Sequence, residues 1–314
     1  MIPQNNNIRF EVTTACNYSC PICPLKDLNK FTRGVEMMSS ELFKTLLDKI
    51  LAETNQYKSV TFAGLGEPLL DKTLDEKIAY AKEKRLEVFI LTNGSKLTVE
   101  KFKELESLGV SSIRVSVHGH DTKSYAKTTG VDDDRLYDYV LQNLNEIVKI
   151  KKSTKLILTC VVLEGSNEHV IDDWITYWKN KADLIEVWNP HNWADGKNFR
   201  EKQSKKLPTC GRPFDGPLQI QMNGTVNMCC FDFNGKLTLG DLKTNTLEEI
   251  FTAPLFTKLL QCHKSGDFDG SNFICKDCDQ RNCDKTEVLV YSSKTDEKES
   301  RINMFSDTYG SILV

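Results

Sequence analysis

Cys16, Cys20 and Cys23 stand in the run Thr14-Ala-Cys-Asn-Tyr-Ser-Cys-Pro-Ile-Cys-Pro24, a CxxxCxxC spacing. Clustered thiolates are ligands for soft metals and for iron–sulfur centres. A four-iron cubane takes four cysteines, so three of them with no nearby fourth leave one iron open to an outside chelator. Structural zinc is the competing reading. It asks for four closed ligands, often as CxxC pairs on a small ribbon, whereas this trio follows a strand-like Ile8 to Val12 and no histidine comes before His118. The spacing favours an iron–sulfur cluster with one open site.

Further short strings follow in order. Thr61-Phe-Ala-Gly-Leu-Gly-Glu-Pro-Leu-Leu70 sits after a second strand-like run, Leu91-Thr-Asn-Gly94 after a third, and Val115-Ser-Val-His-Gly119 after a fourth. Alone, each is an ordinary strand-to-turn transition. Behind CxxxCxxC, they together resemble the radical S-adenosylmethionine enzymes. That resemblance implies that Cys16, Cys20 and Cys23 hold a [4Fe–4S] cluster whose open iron is chelated by the amino and carboxylate groups of S-adenosylmethionine. It also implies contacts to that cofactor from Gly64, Gly66, Glu67 and Pro68, from Asn93, and from Ser116 and His118. Two departures stand out. Leu65 replaces the first glycine of the usual Gly-Gly-Glu-Pro, and Ile22 stands where the family usually has an aromatic residue to pack on adenine.

A second cysteine group comprises Cys210, Cys229, Cys230, Cys262, Cys275, Cys278 and Cys283. Around Asn223-Gly224, alternating residues signal a hairpin. The string from Cys210-Gly-Arg-Pro-Phe to Cys275-Lys-Asp-Cys278 resembles the auxiliary-cluster modules called SPASM and twitch, which implies a second [4Fe–4S] cluster on Cys210, Cys229, Cys275 and Cys278. A zinc ribbon on the same four thiolates is the alternative. No cysteine follows Cys283, which favours the one-cluster twitch form over a full SPASM module. Spacing does not choose between Cys229 and Cys230, because neighbours on a strand face opposite ways. Cys230, Cys262 and Cys283 are candidate hydrogen-atom donors, since an S–H bond is weak. Cys160, in an apolar run, is expected to be a buried structural thiol.

Alternating elements must position these residues. Strands are expected at Ile8 to Val12, Ser59 to Ala63, Glu87 to Leu91, Ser112 to Val117, Leu156 to Leu163 and Leu184 to Trp188. Apolar residues at three- and four-residue spacing predict helices over Ser40 to Glu53, Leu74 to Lys84, Val99 to Leu108, Asp134 to Lys151 and His169 to Lys179. Six βα units predict a parallel sheet, a partial (β/α)6 TIM-like barrel of the α/β class, with its site at the C-terminal strand ends. All four strings fall at those ends. The expected organisation is a radical S-adenosylmethionine barrel over 1–200, a SPASM/twitch module over 201–290 with a helix from Leu247 to Leu260, and a tail over 291–314.

Composition limits the partners. The net charge is −3 with 27% charged residues, which argues against an electrostatic nucleic-acid binder. No apolar run reaches the length of a membrane span, and the start lacks the basic and apolar regions of a signal peptide. Eleven cysteines then read as metal ligands or reactive thiols in a reducing, cytoplasmic setting. The resemblance implies a one-electron reductant such as flavodoxin or ferredoxin and a 5′-deoxyadenosyl radical that takes hydrogen from a substrate. With the first strand beginning by Ile8, an N-terminal peptide-recognition domain is not expected. The expected substrate is a small polar molecule, a sugar or aminocyclitol, undergoing dehydrogenation or epimerisation. Modification of a ribosomally made peptide delivered by a separate recognition protein is the alternative, and a non-enzymatic iron–sulfur electron carrier is another.

Overall fold

Strand β1 (Asn7–Phe10) alternates apolar Ile8 and Phe10 with polar Asn7 and Arg9, and this period of two sorts its side chains onto two faces. The computed structural model describes residues 2–27, 30–193, 199 and 206–282, and the backbone of 288–292 and 295–301. Strands β2 (Ser59–Phe62), β3 (Glu87–Thr92), β4 (Ser112–Ser116), β5 (Lys155–Val161) and β6 (Leu184–Trp188) follow β1 in spatial as well as chain order, each parallel to the last. Between them run α1 (Ser40–Glu53), α2 (Leu74–Glu83), α3 (Val99–Ser107), α4 (Thr122–Thr129), α5 (Asp134–Ile150) and α6 (Ile171–Trp178). This is the expected parallel α/β order.

One face of the sheet forms the core. Ile8, Phe10, Val60, Phe62, Val88, Ile90, Ile113 and Val115 belong to a single buried cluster with Phe43, Leu46, Leu47 and Ile50 of α1 and Phe102 and Leu105 of α3. The start of α1 is fixed by Ser39, whose Oγ accepts from Leu42 N at 3.1 Å. The opposite, concave face carries polar residues at the alternate positions: Arg9, Thr61, Arg114, Thr159 and Glu186, all buried. Polar side chains buried on the inside of a parallel sheet mark it as a binding surface rather than a packing one.

The C-terminal cysteine-bearing segment is part of the same sheet. Strand β7 (Leu218–Ile220) pairs parallel with β1 on its free side, in the register Ile8↔Leu218, Arg9↔Gln219 and Phe10↔Ile220. Antiparallel β8 (Thr225–Asn227) and β9 (Thr238–Asp241) continue from it, with the hairpin turn at Asn223-Gly224 as the sequence predicts. Helix α7 (Arg212–Asp215) precedes them.

One expectation needs correction, and the structure has elements beyond those expected. The single helix over Leu247 to Leu260 is two, α8 (Leu247–Thr252) and α9 (Pro254–Ser265), because Pro254 forces Ala253 into an extended backbone (φ −57°, ψ 146°). Helix α4 is not anticipated from periodicity; its capping box of Asp121 and Ser124 is the signal that identifies it. Within the expected tail over 291–314, strand structure is present. Strand β10 (Val288–Ser292) pairs antiparallel with β6, and β11 (Thr295–Arg301) pairs with β10.

Candidate active site

The loop after β1 carries the first three cysteines to the C-terminal strand ends and is held there from three sides. Gly66 packs so closely on it that a Cβ would overlap Thr13 O and lie 2.7 Å from Ala15 O, and Glu67 N donates to Ala15 O at 2.8 Å. From the other side, Ser19 N donates to Thr129 O at 3.0 Å and Gly130, in the left-handed region at φ +66°, touches Ser19 O. Beneath, the hydroxyls of Tyr18 and Tyr125 share a hydrogen bond of 2.9 Å. The motif glycines thus shape the cysteine loop.

Within the loop the three thiols interact. Burial, then Cys23 and Cys16, pushes the Cys20 thiol up to about 12, and burial pushes up Cys16. Thiols so placed stay protonated until a metal displaces the protons. Cys16 Sγ accepts from Tyr18 N at 3.5 Å and from Asn93 Nδ2 at 3.8 Å, while Asn93 Nδ2 also donates to Asn17 Oδ1 at 3.0 Å. The end of β3 therefore orients the first cysteine.

Glu67 is 2% exposed and caps the short turn begun by Pro68. Its Oε1 accepts from Leu69 N at 2.9 Å and Thr92 Oγ1 at 2.7 Å, and its Oε2 from Asn93 N at 2.6 Å. Burial raises its proton affinity, and these three donors oppose that rise. A carboxylate offers about four acceptor positions, so room for one further donor remains. Gly64 packs against the side chain of Glu11, which is gripped by the two terminal guanidinium nitrogens, Nη1 and Nη2, of Arg33.

A second cavity is lined by Cys210, Cys229, Cys275 and Cys278. Burial, then Cys210, pushes Cys278 up to about 12, and burial, then Cys210 and Cys278, raises Cys275. Arg212, Arg281 and His263 share the lining; the two arginines are cationic neighbours that suit a negatively charged centre, whereas burial lowers the proton affinity of His263. Among the described residues no three His, Cys, Asp or Glu side chains converge on a point as one metal ion requires. Thiols spread around a cavity suit a multi-iron cluster instead.

Cys229 also reaches the third feature, a cleft of about 150 Å³ on the concave face. Cys230 lines this cleft with Arg9, Glu11, Arg33, Gln219, Gln221 and Asn227, under Trp193 and Phe231. Adjacent thiols thus serve two cavities. Cys262, on α9, lines neither, and Cys283 lies outside the described residues. Cys160 is 1% exposed in the core. Ser116 ends β4 and meets Thr159 Oγ1 at 3.5 Å. His118 accepts from Val161 N through Nδ1 at 3.1 Å, which ties β4 to β5, and burial lowers its pKa to about 4. Ile22 is 9% exposed.

Motif matching alone did not single out Arg9, Glu11, Arg33 or Asn227. The available signal was two charges, Arg9 and Glu11, alternating with Ile8, Phe10 and Val12 in a strand of a buried parallel sheet.

An open parallel sheet with a three-cysteine loop at its mouth and a four-cysteine cavity beside it defines an iron–sulfur enzyme architecture. The chain belongs to the radical SAM superfamily, whose pattern matches residues 10–177, and residues 214–279 match the SPASM iron–sulfur cluster-binding domain. It is 24% identical over 296 residues to the S-adenosyl-L-methionine-dependent 2-deoxy-scyllo-inosamine dehydrogenase of Niallia circulans, covering 90% of this chain and 96% of that one. It is also 28% identical over 198 residues to a probable GTP 3′,8-cyclase of Thermococcus kodakarensis, covering 62% of this chain but only 61% of the relative. Among solved structures, BtrN in complex with AdoMet and 2-DOIA superposes with a TM-score of 0.60 at 21% identity, over 89% of this chain and 94% of that one. The partial-barrel fold and the use of S-adenosylmethionine with iron–sulfur clusters follow from this membership. No helix among the described residues is long and apolar enough to cross a membrane.

Proposed function

We propose that this radical SAM enzyme removes hydrogen from a small polar substrate, a sugar or aminocyclitol, seated in the cleft of the concave face, and that dehydrogenation or epimerisation follows. The supporting observation is the cleft itself, whose lining includes the polar side chains of Arg9, Gln219, Gln221 and Asn227. The similarity to the 2-deoxy-scyllo-inosamine dehydrogenase, which spans most of both chains, points the same way.

In this reading Cys16, Cys20 and Cys23 hold the first cluster and Cys210, Cys229, Cys275 and Cys278 the second. When bound, the open cluster and S-adenosylmethionine supply a 5′-deoxyadenosyl radical, the agent that removes hydrogen. The chain's own residues do the positioning. Glu67 receives the methionyl ammonium at its remaining acceptor position, a charge-assisted contact. Gly64, Gly66, Pro68 and Asn93 shape the cofactor's bed, and Ser116 and His118 flank it at the end of β4. The reductant is a one-electron donor such as flavodoxin or ferredoxin.

Cys230, lining the cleft and absent from the lining of the four-cysteine cavity, is the favoured hydrogen donor for epimerisation. In its protonated form, which the hydrogen bond with Cys229 disfavours, its S–H bond breaks as a C–H bond forms on the substrate, and the sulfur is restored by one electron and one proton from the reductant and solvent. In dehydrogenation the substrate radical left after hydrogen removal would instead give one electron to the cluster that Cys210, Cys229, Cys275 and Cys278 would hold and one proton to solvent, yielding a carbonyl.

The test is turnover of candidate sugars, aminocyclitols and peptides in D₂O, followed by mass measurement. One deuterium at an inverted carbon, lost in Cys230→Ala, supports epimerisation, and a two-unit mass loss supports dehydrogenation. Turnover of peptides alone overturns the proposal.

A further inference from the structure

We infer that the substrate of the cleft carries an oxyanion that pairs with Arg9, together with an O–H or N–H group that donates to Asn227. The inference deepens the proposed function, since it rests on the cleft being the substrate's seat.

Three arginines occupy the concave face and its rim. Arg33 is paired with Glu11, and Arg114 donates to Glu186 at 2.9 Å. Arg9 is different. It is 9% exposed, its Nε has no partner, and its side chain makes no hydrogen bond or ion pair among the described residues. Its strand neighbours in register are neutral, Thr61 on β2 and Gln219 on β7. The carboxylates of the cleft wall are already engaged: Glu11 by Arg33 and by Leu65 N, and Asp232 by Lys236 N at 3.0 Å and Leu237 N at 2.6 Å.

A guanidinium keeps its charge even when buried, because its proton affinity is too high to give up. An unpaired buried charge is strongly unfavourable. A ligand that brings the opposite charge removes that cost, and the planar fork of arginine suits carboxylate or phosphate. The cleft supplies the complement as well. Asn227 is 3% exposed, and its Nδ2 donates to Cys229 O at 3.1 Å and Asp232 O at 2.9 Å, which fixes the amide's orientation and leaves Oδ1 buried without a partner. An anion cannot satisfy that oxygen; a hydroxyl or amine can. One cation without a carboxylate partner among the described residues and one lone acceptor in a single cleft describe a hydroxylated acid, such as a sugar acid or sugar phosphate. A cationic aminocyclitol without an acidic group would satisfy Asn227 but place its charge near Arg9.

Isothermal titration calorimetry on the anaerobically reconstituted full-length protein with S-adenosylmethionine tests this, using glucuronate, glucose 6-phosphate, glucose and glucosamine as probes. At least one anionic sugar should bind about tenfold or more tighter than glucose, as a charge-assisted pair would give. Arg9→Gln should abolish that preference and Arg9→Lys should keep part of it. If Arg9→Gln fails to fold, the same dependence is read on the unaltered protein from added salt, which should weaken the anionic probe and spare glucose. A preference for glucose 6-phosphate assigns the oxyanion to a phosphate, and one for glucuronate to a carboxylate. Anionic sugars binding no tighter than glucose and glucosamine would overturn the inference while leaving the sugar reading intact. Arg9-dependent binding of an aspartate-rich peptide with no binding of any sugar would keep the oxyanion site and overturn the sugar reading.

Discussion

Asn93 N donates to Glu67 Oε2 at 2.6 Å, which locks the loop after β2 to the end of β3. The same Asn93 reaches Cys16 Sγ through Nδ2 at 3.8 Å. One asparagine thus couples the carboxylate expected to meet the cofactor to the first cysteine. The coupling explains why motifs from separate strands act as a unit: each braces the next.

Glu67→Gln places an amide N–H₂ among three donors, so at least one hydrogen bond is lost and a buried donor is left facing a donor. We expect a stability loss of about 1–3 kcal/mol and weaker S-adenosylmethionine binding with iron content retained. Calorimetry and iron assay check it. Unchanged cofactor affinity would place the methionyl amine elsewhere.

Cofactor load separates the two cysteine groups. Reconstituted protein should hold about eight irons, four per cluster. Replacing Cys16, Cys20 and Cys23 with alanine should halve the iron and abolish 5′-deoxyadenosine formation, whereas replacing Cys210, Cys229, Cys275 and Cys278 should remove the other half. Cys230→Ala should leave iron content unchanged. Tightly bound zinc with only about four irons would revive the ribbon reading.

Gly130 sits at φ +66° against Ser19 O in the cysteine loop. Alanine there meets left-handed strain of about 1 kcal/mol and overlaps the loop backbone. Gly130→Ala should therefore lower the melting temperature and also loosen the first cluster. Loss of stability with fully retained iron would separate the helix end from the cluster loop.

His118 contributes to acid sensitivity. Burial lowers its folded pKa to about 4, against about 6.5 when unfolded. Between these values the unfolded chain binds more protons, so stability is lost as the pH falls from about 6.5 toward 4 and is restored as it rises. His118→Gln, whose amide can still accept from Val161 N, should flatten that slope. Urea midpoints at pH 4.5 and 7.5 measure it, and an unchanged slope would assign the acid sensitivity to other groups.

Much was legible in the sequence because local patterns carried it. The period of two in Ile8, Phe10 and Val12 and the helical spacing of Phe43, Leu46, Leu47 and Ile50 announced alternating strands and helices, and CxxxCxxC announced its chemistry by spacing alone. Long-range pairing was different. Nothing local in Leu218–Ile220 specifies that it adds to the free edge of β1, yet that register sets Gln219 beside Arg9. That Cys229 lines both cavities and Cys230 only the cleft likewise depends on the turn after β8. Residue types and spacings determined which chemistry this chain carries. Only the tertiary structure decided which charges are paired, because Glu11 meets Arg33 and Glu186 meets Arg114 across the fold while no described carboxylate reaches Arg9.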